Sequence, residues 1–132
     1  MKELIQPAFL GPLAIGIFLA IVFLQSALDK IFDWKGNLSW LTSHFSKSFL
    51  AGSVTPMLAI VTLLELVTGL TAICGIVCVF WCKETTCILY AIILAMITLL
   101  MLLFGQRVAK DYEGAKTIAI YFGIALIGLL FF

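Results

Sequence analysis

The chain has 132 residues, 64% of them apolar and only 11% charged, with a formal net charge of +1 and a mean hydropathy of +1.22. Soluble domains are about 45–50% apolar and about 25% charged, and a fold this small has too much surface per volume to hide the excess. The composition therefore argues against a soluble domain and a disordered chain, and the near-zero charge gives no field to attract a nucleic acid.

A membrane protein remains, and its few charges punctuate it. Residues 4–28 carry none, 48–82 carry only Glu65, 85–106 carry none, and none follows Lys116. A helix needs about 20 apolar residues, at ~1.5 Å each, to cross a hydrocarbon core ~30 Å thick. Backbone groups in lipid must pair internally, which leaves helices or closed barrels. Barrel strands would alternate in polarity, whereas these segments are apolar all round. The predicted fold is all-α. It is one domain over residues 1–132, an integral membrane four-helix bundle with a short interfacial helix in the first loop.

The first predicted span covers residues 9–28. Its apolar run is longer than the 7–15 residues or so of a signal-peptide core. Glu3 stands beside Lys2 and no clear A-x-A site follows, so it reads as a retained span. In the loop beyond, Leu38, Leu41 and Phe45 recur at steps of three and four, flanked by Trp34 and Trp40, with Lys35 and Lys47 as polar partners. Residues 37–47 read either as a helix lying in the interface or as a loop packing its aromatics over the bundle end. The second span, 56–81, has Ser53 or Thr55 as a cap and Pro56 at its first helical position. It is longer than needed, so it should tilt or project. The third and fourth spans are 86–104 and 115–130, and no separate soluble domain is expected.

Four spans put both termini on one face, together with the turn between Cys82 and Cys87. That face has Lys2 and Lys83. The other has Lys30, Lys35, Lys47, Arg107, Lys110 and Lys116. Cytoplasmic loops are the ones enriched in Lys and Arg, so the 29–54 and 105–114 loops are expected inside and the termini extracytoplasmic. Trp34 and Trp40 on one face and Trp81 on the other suit interfacial belts.

Glu65 is the one ionisable group well inside a span. Such a charge costs at least about 2.5–3.5 kcal/mol on insertion scales. It must face the bundle interior and either pair or be protonated there. Gln25, Ser26, Lys30 and Arg107 lie near its depth, and the stems of Lys30 and Arg107 are long enough to reach it. Thr62 and Thr68 flank it on roughly the same helical face. The expected polar intramembrane site is thus Glu65, Lys30, Arg107, Ser26 and Gln25. It can be a small polar or proton-relay site, or simply a buried ion pair that pins the bundle. Arg107 and Asp111, four apart, suit an interfacial salt bridge.

His44 is the single histidine. It reads as an interfacial residue, and no metal site is expected. Cys74, Cys78 and Cys82 recur every four residues, which reads as close packing of small residues rather than a redox or soft-metal stripe. Cys82 and Cys87 bracket a turn and could form a disulfide or thiol pair on an extracytoplasmic face. There is no C-x-x-C, nucleophile triad, phosphate loop or nucleotide-binding glycine pattern, which leans the reading away from an enzyme.

The run Ser26-Ala27-Leu28-Asp29-Lys30-Ile31-Phe32 resembles the S-G-x-x-K-hydrophobic-F signature of DoxX-like small membrane proteins. Ala27 stands where that family usually has Gly, which implies a slightly looser helix approach. Glu65-Leu66-Val67-Thr68-Gly69-Leu70, followed by Gly75, resembles the family's E-x-x-x-G-hydrophobic pattern. The segment from Arg107 to Ala115 also looks like the family's approach to its last span. The resemblance implies four spans in the bacterial cytoplasmic membrane, with recurrent polar residues at Ser26, Lys30, Glu65 and Arg107. Some relatives are subunits of a thiosulfate:quinone oxidoreductase or associate with thiol-redox proteins.

The preferred expectation is an accessory or scaffolding subunit of a membrane complex, a redox complex included. Its partners would be the lipid bilayer and other membrane subunits or a second copy, with no nucleic acid. The alternatives are a proton-coupled small-solute carrier using Glu65, and a quinone- or thiol-linked oxidoreductase component. No cofactor motif is present; a quinone beside Glu65 and Gln25 is the one candidate.

Overall fold

The computed structural model describes residues 6–47, 51–108 and 110–132. Lys2 and Glu3, which entered the reading of the first span and the orientation, lie outside them. The elements are α1 (Pro7–Phe32), α2 (Trp34–His44), a 3-10 turn (Ala51–Ser53), α3 (Val54–Trp81), α4 (Thr86–Val108) and α5 (Tyr112–Leu129). The fold is all-α, as expected. Helices α1, α3, α4 and α5 are long and apolar enough to cross a membrane, which fits an integral membrane protein.

The helix ends differ from the sequence expectation in instructive ways. α1 runs past residue 28 to Phe32. The Asp33 amide still donates to the Asp29 carbonyl at 3.2 Å, but its ψ of 52° turns the chain. α2 starts at the next residue, Trp34, and ends at His44. Of the segment 37–47, residues 37–44 are helical and 45–47 form a turn, and Phe45 in that turn is buried over the bundle end.

Ser53 precedes α3 but makes no capping hydrogen bond. The 3-10 turn holds it at ψ 13°, away from the extended backbone that aims a capping side chain. Two short turns close the hairpins α3–α4 and α4–α5. Each uses a lysine in the left-handed region, Lys83 at φ 54° and Lys110 at φ 62°, where L side chains are uncommon. Asp111 caps α5 by accepting a hydrogen bond from the Gly114 amide at 3.2 Å. Glu113 adds negative charge at the positive end of the helix dipole.

α1 packs along α3, α3 on α4, and α4 on α5, while α1 also touches α4 and α5. The four long helices thus form a ring with α1 and α4 on its short diagonal. Leu19, Phe23, Val79, Ile88, Ile92 and Leu99 fill the centre. Ile21, Leu63, Ile97 and Ile127 point outward, where lipid is their natural solvent.

Lipid tails are as apolar as leucine, so close helix approach must supply much of the contact energy. Gly75 provides it between α3 and α4. A Cβ there would sit 2.6 Å from Ile88 Cγ1 and 2.9 Å from the Ile88 backbone nitrogen. Gly123 has nothing within 4 Å of its Cβ position. Gly75→Ala is therefore expected to destabilise the bundle by about 1–3 kcal/mol, whereas Gly123→Ala, inside α5 with open space, is expected to be neutral or to stabilise by up to about 1 kcal/mol. Equilibrium unfolding in mixed micelles measures both, and equal effects would mean that the α3–α4 approach is not tight.

Candidate functional site

The site begins with two side chains one turn apart on α1, hence on one face. Lys30 Nζ donates to Ser26 Oγ at 2.7 Å and to Glu65 Oε2 on α3 at 3.3 Å. It also lies 3.1 Å from Glu65 Oε1. That second contact is charge without an aligned hydrogen bond, for Oε1 is buried and accepts none. Glu65 is 0% exposed and the Lys30 side chain 18%.

Local packing brings the two helices this close. A Cβ on Gly69, one turn beyond Glu65, would lie 2.6 Å from Leu24 Cγ and 3.2 Å from the Leu24 backbone nitrogen. Ala27 is fully buried on α1. Glu65 sits roughly 16 Å along α3 from Val54, in a helix roughly 42 Å long at 1.5 Å per residue. It is thus in the half nearer α2.

Two cavities flank the pair. The larger, about 560 Å³, lies beneath α2. Trp40, His44, Phe45, Met57 and Leu58 supply much of its wall, and Lys30, Asn37, Gln106 and Asp111 are among its polar lining residues. The smaller, about 270 Å³, is lined by Gln25, Ser26, Asp29, Glu65, Leu99 and Tyr121, among others. Lys30 faces the larger cavity and Glu65 the smaller, while Leu102 lines both. The ion pair therefore stands in the partition between them.

Two polar atoms of the larger cavity's lining residues are buried without a hydrogen bond, His44 Nε2 and Gln106 Oε1. An orphaned buried polar atom costs about 1–3 kcal/mol, and such atoms commonly mark a place for water or a ligand. The His44 ring stacks on Trp40, with centroids 4.5 Å apart and an interplanar angle of 15°. Sequence reading placed His44 at the interface but not in a cavity. Its one signal was the four-residue step from Trp40, which puts both rings on one face of α2.

Of the expected site residues, Ser26, Lys30 and Glu65 come together. Gln25 is exposed on α1 and lines the smaller cavity. Arg107 does not join. α4 continues through Val108 and holds Arg107 exposed, with its guanidinium 5.1 Å from the centroid of the Tyr112 ring. The Arg107–Asp111 salt bridge is also absent, because the helix stops at Val108 and Asp111 turns to cap α5. Thr62 and Thr68 donate at 2.7 Å to Leu58 and Leu64 carbonyls of their own helix.

The four thiols are free, and Cys82 is not the partner of Cys87. Cys82 is exposed at the end of α3, where the chain leaves the helix. Cys87, in the first turn of α4, instead meets Cys78 at an Sγ–Sγ distance of 3.5 Å. Together with Cys74 these thiols form one group.

No protein-family model matches this chain, and neither does any curated protein or solved structure.

Breaking a buried pair by removing one partner typically costs about 3–5 kcal/mol, because the other charge is stranded. Lys30→Ala is expected to destabilise by that order. Adding Glu65→Gln should restore much of the loss, a clear departure from additivity. Arg107→Ala should stay within about 0.5 kcal/mol. Unfolding in mixed micelles reads all three, and a strictly additive double variant would mean the two groups do not act as a pair.

Proposed function

We propose that this chain is a DoxX-like accessory subunit of a membrane complex and that it holds a small amphipathic molecule at the Lys30–Glu65 end of the bundle. The carrying observation is the ion pair set between two cavities, with Lys30 turned to the larger one. A cavity of about 560 Å³ is within the range of small-molecule sites, roughly 300–1,000 Å³, which are mostly apolar with a few placed polar groups.

A quinone suits that chemistry. Its ring and tail would lie against Trp40, Phe45, Met57 and Leu58, and a carbonyl oxygen would accept from the Lys30 ammonium. The proposed setting is the bacterial cytoplasmic membrane with the termini outside, supported by the distribution of Lys and Arg. The outward apolar faces leave room for a partner subunit as well as lipid. Native mass spectrometry from mild detergent tests both halves. The expected spectrum carries a partner subunit and a quinone-mass adduct that Lys30→Ala loses. A solitary chain without adduct would overturn the proposal.

One observation favours a second reading, a proton-coupled carrier. Because Lys30 and Glu65 face different cavities, parting them would join the two. Proton flux into liposomes should then fall with Glu65→Gln. No flux in the wild type, or equal flux in the variant, removes this reading.

A further inference from the structure

The opposite end of the bundle gathers three thiols from two helices. The Sγ atoms of Cys74, Cys78 and Cys87 all lie within 4.8 Å of one another, and Cys78 and Cys87 are 3.5 Å apart. Cys74 and Cys78 are one turn apart on α3 and so share a face. Cys87 is brought against them by the close approach at Gly75, whose absent Cβ would lie 3.2 Å from the Cys87 carbonyl carbon. Cys78 and Cys87 are half-buried, and Cys74 opens to the surface.

We infer that Cys74, Cys78 and Cys87 form a site for one soft monovalent metal ion, Cu(I), held by three sulfurs. Metal–thiolate bonds of about 2.3 Å in a trigonal plane place the sulfurs about 4.0 Å apart. That value falls between the 3.5 Å of the Cys78–Cys87 pair and the 4.8 Å limit of the group. The ion enters through small side-chain adjustments and leaves the helices where they are.

Thiolates select soft ions such as Cu(I), and zinc as well. Structural zinc wants four ligands. Among the described residues no further Cys, His, Asp or Glu joins this group. Cys82 stands outside it, and the single histidine, His44, lines the cavity at the other end of the bundle. Three-coordinate Cu(I) is complete without a fourth ligand.

The chemistry balances without electron transfer. Each cysteine gives up its thiol proton as its sulfur takes the metal, so one Cu(I) releases three protons and the complex carries a charge of −2. The positive end of the α4 dipole at Cys87 favours this negative charge, while the negative end of α3 near Cys78 opposes it. Cys78 lies only about 4.5 Å along the helix from Trp81, a residue type that marks the membrane–water boundary. The ion and the protons can therefore be exchanged with water.

The test is an anaerobic Cu(I) titration of the purified, reduced full chain in mild detergent, in competition with bicinchoninate. One Cu(I) per chain is expected, with three sulfurs around it by X-ray absorption. Cys82→Ser should bind as the wild type does. Cys74→Ser, Cys78→Ser and Cys87→Ser should each lose more than the roughly 10–100-fold that changing a mere hydrogen-bond partner of a ligand costs. No binding by the wild type, an equal loss in Cys82→Ser, two-sulfur coordination, or displacement by equimolar Zn(II) would each overturn the assignment. Should a serine variant elute as an aggregate, the wild-type stoichiometry and sulfur count decide alone.

Discussion

A carboxylate with no exposed surface is tied to an ammonium from the neighbouring helix, and the register of the bundle follows from that contact. Apolar helices in lipid have little preference for one rotation or sliding position over another, because their surroundings are as apolar as their partners. Glu65 removes that freedom. It needs Lys30 within about 3 Å, and Lys30 can supply its charge only if α1 sits at one height and one angle on α3. A buried pair of this kind adds little net stability over a well-packed apolar pair, but any arrangement that separates the charges is heavily penalised. Ser26 Oγ accepts another hydrogen bond from the ammonium, so the cation is fixed from its own helix as well as across the interface.

Once α1 is held against α3, the space at that end of the bundle is determined by α2. The chain leaves α1 at Asp33 and enters α2 at once, with no slack to carry the second helix away. α2 therefore lies over the gap between α3 and α4 and forms one wall of the larger cavity, which stays partly open. The same short connection places Trp40, His44 and Phe45 on the cavity wall. A largely apolar, partly open cavity with a lysine and orphaned polar atoms among its lining residues is a consequence of this covering.

The four spans were legible because charges interrupt an otherwise apolar chain. Ser26, Lys30 and Glu65 were legible because depth alone places them together, and lipid leaves Glu65 little choice of partner. Arg107 was misplaced for a local reason. With the third span ended at residue 104, Arg107 becomes a free side chain able to bend inward, whereas four more helical residues hold it outside over Tyr112. The pairing of Cys87 was hidden for a similar reason. Sequence spacing favours Cys82, across the turn, but the turn is closed by Lys83 in a left-handed conformation. Such a conformation is signalled by Gly or Asn and not by lysine. The cavities had no sequence signal, because they depend on the direction in which α2 leaves α1.

The same helix carries both sites, and its two glycines explain how. Gly69 meets Leu24 of α1, while Gly75 meets Ile88 of α4. Six residues separate them, about 9 Å of rise and about 240° of rotation at 100° per residue. α3 is thus gripped on two different faces at two heights, close to Glu65 on one side and close to Cys78 on the other. A rotation that loosened the Lys30–Glu65 contact would swing Gly75 away from Ile88, and with it Cys74 and Cys78 away from Cys87. Packed interfaces pass such movements between discrete arrangements and do not absorb them continuously. The carboxylate end and the thiol end therefore share one helix, packed closely on α1 at one height and on α4 at the other.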